Sequence, residues 1–104
     1  MPQDPTLSEF QRRIERLYYD RDAGRGLAPT FMWFVEEVGE LSRALRRGRP
    51  EELAEEFADV LAWLSTLASI AGVDLAQAAA KYATGCPKCA QTPCRCPEPE
   101  ARGE

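Results

Sequence analysis

Glutamate and aspartate recur at helical spacing in two adjacent stretches of this 104-residue chain. The first stretch is Phe31–Leu45, FMWFVEEVGELSRAL; the second is Glu51–Leu64, EELAEEFADVLAWL. In the first, Phe34, Val38, Leu41 and Leu45 form an apolar stripe, the face a helix would turn inward. At about 100° per residue, Glu37 and Glu40 stack on one shoulder of that stripe. Glu56 and Asp59 take the same offset beside Leu53, Phe57, Val60, Leu64 and Leu67. If the two helices pack antiparallel, both i, i+3 pairs converge on one point. Four carboxylates in a partly buried cleft repel one another and resist ionisation unless a cation neutralises them. Such a cage suits a hard ion, Mg²⁺ or Mn²⁺, and Mg²⁺ in turn suits a phosphate substrate. The competing reading is a pair of solvated helix faces. It already accounts for Glu51 and Glu52, which complement a helix N-terminus. With no histidine in the chain, a His-based nucleophile, base or zinc site is excluded.

A second set of ligating side chains lies near the C-terminus. Cys86-Pro87-Lys88-Cys89 and Cys94-Arg95-Cys96 give CxxC, four residues, then CxC. The first pair resembles a zinc knuckle, in which a tight turn aims two thiolates at one metal. Four thiolates would complete a closed, structural Zn²⁺ site. Disulfides and an iron–sulfur centre are the alternatives. A thioredoxin-like redox role lacks its βαβ context.

The elements that must position these groups read as helices. Thr6 or Ser8 can cap a first helix over residues 6–20, with Leu7, Phe10, Ile14, Leu17 and Tyr18 at helical spacing. Gly24, Gly26 and Pro29 make Asp20–Pro29 a loop. Thr30 then caps a second helix to about Arg47, ended by Gly48 and Pro50. A third runs from Glu51 to about Ala71, and Asp74 caps a fourth through about Ala83. No segment alternates with period two. The expected fold is therefore all-α, an antiparallel four-helix bundle. The helical domain occupies 1–84, the cysteine segment 85–97 and a disordered tail 98–104.

Composition narrows the function. The net charge of −4 argues against a nucleic-acid polymer as partner. The basic cluster Arg43, Arg46, Arg47 and Arg49 falls where it complements a helix C-terminus, with phosphate contact as the other use. No apolar run reaches the ~18–20 residues of a membrane span, and Met1–Pro5 lacks signal-peptide character. A cytoplasmic protein is expected, in which four cysteines favour metal over disulfide. A core drawn from roughly residues 6–84 is short for a stable monomer, so a homodimer or homotetramer is expected.

The acidic pattern resembles the MazG-like nucleotide pyrophosphohydrolases of the all-α NTP pyrophosphatase superfamily. That family carries EExxE, a spacer of a dozen or more residues, then ExxD. Glu36-Glu37-Val38-Gly39-Glu40 and Glu56-Phe57-Ala58-Asp59 supply the two parts, with fifteen residues between Glu40 and Glu56. The flanking text, EEVGEL and EEFADVLAWL, is also MazG-like, and the resemblance covers roughly residues 6–83. It implies Mg²⁺-dependent hydrolysis of a canonical or non-canonical nucleoside triphosphate to the monophosphate and pyrophosphate. It makes Glu37, Glu40, Glu56 and Asp59 the metal ligands and gives Glu36 the task of orienting or deprotonating water. Lys81 becomes a candidate for the phosphates. Trp33 and Trp63, on the carboxylate shoulders of their helices, are candidates to stack on the base, or are core or interface aromatics. The alternatives are a phosphoribosyl-ATP pyrophosphohydrolase-like enzyme and a non-catalytic, zinc-stapled helical module whose acidic face binds a basic partner.

Overall fold

Thr6 starts the first helix through a reciprocal capping box. Its hydroxyl accepts from the Glu9 amide at 3.0 Å, and the Glu9 carboxylate accepts from the Thr6 amide at 2.7 Å. A computed structural model describes residues 4–98 of the chain. Helix α1 spans Leu7–Arg25, α2 Leu27–Arg47, α3 Pro50–Ile70 and α4 Leu75–Ala79, and a 3₁₀ turn follows over Ala80–Tyr82. Among the described residues there is no strand, so the architecture is all-α. No single helix among them is long and apolar enough to cross a membrane. The tail expected over 98–104 lies, from residue 99 onward, outside the described residues.

Three boundaries differ from the sequence expectation. The ten-residue loop at Asp20–Pro29 does not exist: α1 continues to Arg25, and the chain reverses at Gly26 alone, with φ of 91°. Glycine adopts that conformation without steric cost. Pro29 is tolerated because it lies in the first turn of α2, where backbone N–H groups have no helical partner anyway. Thr30 is consequently inside the helix and is not its cap; its buried hydroxyl donates to the Gly26 carbonyl at 2.7 Å. The fourth helix is also shorter than expected. Asp74 does cap it, accepting from the Gln77 amide at 3.1 Å, but regular helix stops at Ala79.

The other ends behave as their residues dictate. Gly48 closes α2 in the left-handed region, its amide donating to the Ala44 carbonyl at 2.9 Å. Pro50 opens α3 at its first position. Helices α2 and α3 form the most extensive pairing, and α1 packs on α3. Gln11, wholly buried, locks α1 to the α3–α4 junction. Its Nε2 donates to Ser69 Oγ at 3.1 Å and to the Val73 carbonyl at 2.9 Å, and its Oε1 accepts from the Leu75 amide at 2.8 Å.

The apolar core of one chain is small: among the described residues the only buried apolar side chains are Ile14, Ala44 and Ala68. The stripes expected to face inward are only partly covered. Val38 and Leu45 on α2, and Phe57 and Leu64 on α3, stay exposed. The physical reason is geometric. Three long helices and one short turn leave the bundle without a fourth wall.

Candidate metal centre and adjoining cleft

The α2–α3 hairpin brings the two acidic motifs together. Glu37, Glu56 and Asp59 each offer a carboxylate oxygen, and these oxygens lie within 4.8 Å of one another. Glu37 and Glu56 are half-buried, whereas Asp59 is exposed. Glu56 Oε2 is buried with no hydrogen-bond partner. A buried carboxylate oxygen left without a donor is unfavourable, and a cation at this point would satisfy it. Burial pushes the Glu37 carboxyl above its ordinary range, and the charges of Asp59, Glu56, Glu40 and Glu36 push it further. Glu56 is raised in the same way, by desolvation first and then by Asp59, Glu40, Glu55 and Glu52. All-oxygen donors, mutual repulsion and an orphaned oxygen together fit a hard divalent ion.

Glu40 and Glu36 stand outside this closest group. The Glu40 carboxylate accepts from Arg43 one turn along α2, although its charge still acts on Glu37 and Glu56. Glu36 is exposed. The basic cluster is engaged at the α2–α3 corner. Arg47 Nη1 donates to Glu52 Oε1 at 2.7 Å, and Arg49 Nη1 lies 3.9 Å from Glu52 Oε2.

Asp59 also lines a cleft of about 450 Å³ formed by α1, α2 and α3. Its walls include Tyr18, Arg21 and Arg25 from α1, Trp33 from α2 and Trp63 from α3. The two tryptophans expected on the carboxylate shoulders thus meet. Their rings stack with centroids 6.3 Å apart and planes 17° from parallel. The Arg25 guanidinium lies 5.2 Å from the Trp63 ring centroid, a cation–π contact. Lys81, by contrast, is not among the cleft's lining residues; its ammonium lies 5.8 Å from the Tyr82 ring centroid on the 3₁₀ turn.

The end of α1 supplies functional surface that the sequence reading missed. Asp22, buried, accepts from Arg25 Nη2 at 2.9 Å and from Thr66 Oγ1 at 3.1 Å. Arg25 Nη1 donates in turn to Thr30 Oγ1 at 3.1 Å. This network joins three helices at the cleft floor and fixes Arg25 against Trp63. Arg21 lines the same cleft and forms no ion pair among the described residues. A signal for these residues existed: Tyr18, Arg21, Asp22 and Arg25 continue the helical period of the first helix, but Gly24, Gly26 and Pro29 masked it.

The cysteines form a separate cluster. All four Sγ atoms lie within 4.8 Å of one another, and none is in a disulfide. Backbone N–H groups of Arg95 and Gln91 draw the Cys89 thiol down to about 6, while neighbouring thiols, Cys94 foremost, push Cys96 up to about 12. Cys86 is lowered by the amides of Cys89 and Lys88. Soft sulfur donors gathered in this way could hold a metal, as the carboxylates could hold one of the opposite character.

A family model described as a MazG nucleotide pyrophosphohydrolase domain matches residues 27–90, more than half of the chain. No curated protein matches it.

Proposed function

Because the chain belongs to the MazG nucleotide pyrophosphohydrolase family, we propose that it hydrolyses nucleoside triphosphates, canonical or non-canonical, to the monophosphate and pyrophosphate in a Mg²⁺-dependent reaction. The observation that carries this reading is the meeting of Glu37, Glu56 and Asp59, with an orphaned Glu56 oxygen, at the edge of an aromatic and basic cleft. Those three carboxylates would hold the ion, and Glu40, now paired with Arg43, would be the fourth ligand. What Mg²⁺ supplies when bound is neutralisation of phosphate charge and a water of lowered pKa.

The chain's own residues do the rest. Glu36, exposed at the start of EExxE, orients the attacking water and accepts its proton at a carboxylate oxygen. Water adds, the α–β phosphoanhydride bond breaks, and pyrophosphate leaves. Arg21 lines the cleft, has no carboxylate partner among the described residues, and is placed to meet the triphosphate. The half-exposed ring of Trp33, backed by Trp63 and Arg25, offers the base a flat surface. Such stacking accepts any base, so fine selectivity would come from groups at the cleft rim.

A second copy of the chain supplies the missing wall of the bundle. Phe31, Val35, Val38 and Leu45 share one face of α2, and Phe57, Leu61 and Leu64 one face of α3; all are exposed. A core this small, beside stripes this apolar, is the condition in which small domains dimerise. A cytoplasmic setting suits an enzyme of nucleotide pools that also carries reduced thiols.

The test is pyrophosphate release from a panel of canonical and modified NTPs and dNTPs, with Mg²⁺ and with EDTA. Monophosphate formed only with Mg²⁺ is the expected result, and its rank order names the substrate. Silence across the panel from folded protein would reject the reading.

A further inference from the structure

Residues 85–96 take no part in the hydrolytic reading, yet among the described residues they hold the largest group of ligating atoms within 4.8 Å of one another. Neighbouring thiols there are 3.6 Å apart for Cys86 and Cys94, 3.7 Å for Cys86 and Cys96, and 3.9 Å for Cys89 and Cys94. A disulfide would need about 2.05 Å. Zinc–thiolate bonds of about 2.3 Å at tetrahedral angles place sulfurs about 3.8 Å apart. The cluster therefore has the dimensions of a tetrahedron around one metal ion.

The backbone is shaped to hold those sulfurs. The Cys86 amide donates to the Gln91 carbonyl at 3.1 Å, and the Ala90 amide to the Cys86 carbonyl at 2.7 Å, so the segment folds back on itself. The amides of Arg95 and Cys96 each point at a sulfur, Cys89 and Cys94 respectively, at 3.3 Å. Gly85, at φ of 122°, has no room for a side chain: a Cβ would stand 2.8 Å from Thr92 Oγ1.

What the segment lacks is a core. From residue 83 to 98 only Gly85, Cys86, Cys89 and Cys96 are even half-buried. Thiols thus occupy the positions that apolar side chains would fill in a larger fold. Ordering such a stretch costs conformational entropy that its few local hydrogen bonds do not offset. We propose that Cys86, Cys89, Cys94 and Cys96 bind one Zn²⁺ in a closed tetrathiolate site, and that this ion is the core around which residues 85–96 fold. Four sulfurs leave no open coordination position, so the site is structural. Metal binding and folding of this segment are one equilibrium, whereas α1, α2 and α3 are held by their own packing and stand without the ion.

The test uses the full chain and does not read hydrolysis, so its failure is distinct from failure of the proposed activity. Elemental analysis is expected to find one zinc per chain, released in step with mercurial titration of the thiols. Replacement by Co²⁺ is expected to give thiolate-to-cobalt charge-transfer absorption. Amides of residues 85–96 exchange roughly 100-fold faster or more once zinc is removed, while those of α1–α3 keep their protection. A Cys86→Ser, Cys94→Ser double variant loses the zinc and retains the helical circular dichroism. Four overturning results are open to measurement. They are a zinc-free chain with ordered 85–96, a mass showing disulfides, iron in place of zinc, and zinc undiminished in the double variant.

Discussion

The carboxylate cluster and the cysteine cluster are built in opposite ways. Glu37 and Glu56 are nineteen positions apart in sequence and meet only because α2 and α3 pack as a hairpin around Gly48 and Pro50. The four cysteines lie within eleven residues, joined by local backbone hydrogen bonds. The first cluster is hard, anionic and open to a cleft that Asp59 shares; the second is soft, four sulfurs gathered within 4.8 Å of one another. An open oxygen site keeps positions for substrate and water, which chemistry requires. A closed sulfur site keeps none and can only hold structure. On the two proposals above, one small chain separates the work of reacting from the work of staying folded, and gives each to a different class of donor.

The sharpest way to break this comparison is Glu56→Gln. It removes the charge from the orphaned oxygen, and kcat/KM with Mg²⁺ is expected to fall roughly 100-fold or more. Zinc content should not change. Equal loss of both would mean that the two sites are one cooperative unit.

Gly85→Ala attacks the other side. The new Cβ meets Thr92 Oγ1 in a backbone conformation that L-residues avoid. At about 1–3 kcal/mol of strain, zinc affinity is expected to drop about 10- to 100-fold in a chelator competition. Unaltered affinity would show that the knuckle tolerates strain and is not preorganised.

Trp33→Ala tests whether the cleft belongs to the carboxylate site. Loss of a half-exposed stacking surface should raise KM for a nucleotide about 5- to 10-fold with little change in kcat. A change in kcat alone would place Trp33 elsewhere, as a positioning or interface residue.

The smallest effect is a pH dependence of the metal-free chain. Glu37 and Glu56 hold their protons to higher pH when folded than the ordinary value of 4.5. Between 4.5 and those raised values the folded chain binds more protons than the unfolded one, so stability is lost as pH rises through that window. The metal-free Tm is expected to decline from below pH 4.5 upward by this contribution, and Mg²⁺ or Glu37→Gln to flatten the decline. Solvent screening at these partly exposed groups keeps the effect to a few degrees. A metal-free Tm that Glu37→Gln lowers at neutral pH would mean that the carboxylates are not repelling one another.

Much of the site was legible because helical periodicity is a local property. Spacing alone placed Glu37, Glu40, Glu56 and Asp59 on matching shoulders, of which all but Glu40 meet in the closest group, and glycine and proline marked the α2–α3 corner. Trp33 and Trp63 were readable for the same reason. Arg21, Asp22 and Arg25 were not. A glycine pair and a proline, read one residue at a time, signal a loop, whereas buried Asp22, bonded to Thr66 of α3 and to Arg25, ties the last turn of α1 to the bundle.

The sequence by itself determined the all-α class, a first helix starting at Thr6 or Ser8, the cap at Asp74, the two acidic motifs and the spacing of the cysteines. These follow from backbone sterics, periodicity and ligand chemistry, which act between near neighbours. Tertiary structure alone decided that Glu40 turns to Arg43, that the two tryptophans stack with Arg25 against Trp63, and that Lys81 is not among the cleft's lining residues. It also left Val38 and Leu45 of the α2 stripe and Phe57 and Leu64 of the α3 stripe exposed. Which side chains meet depends on how three helices cross and where a fourth is too short to cover them, and no local spacing encodes that.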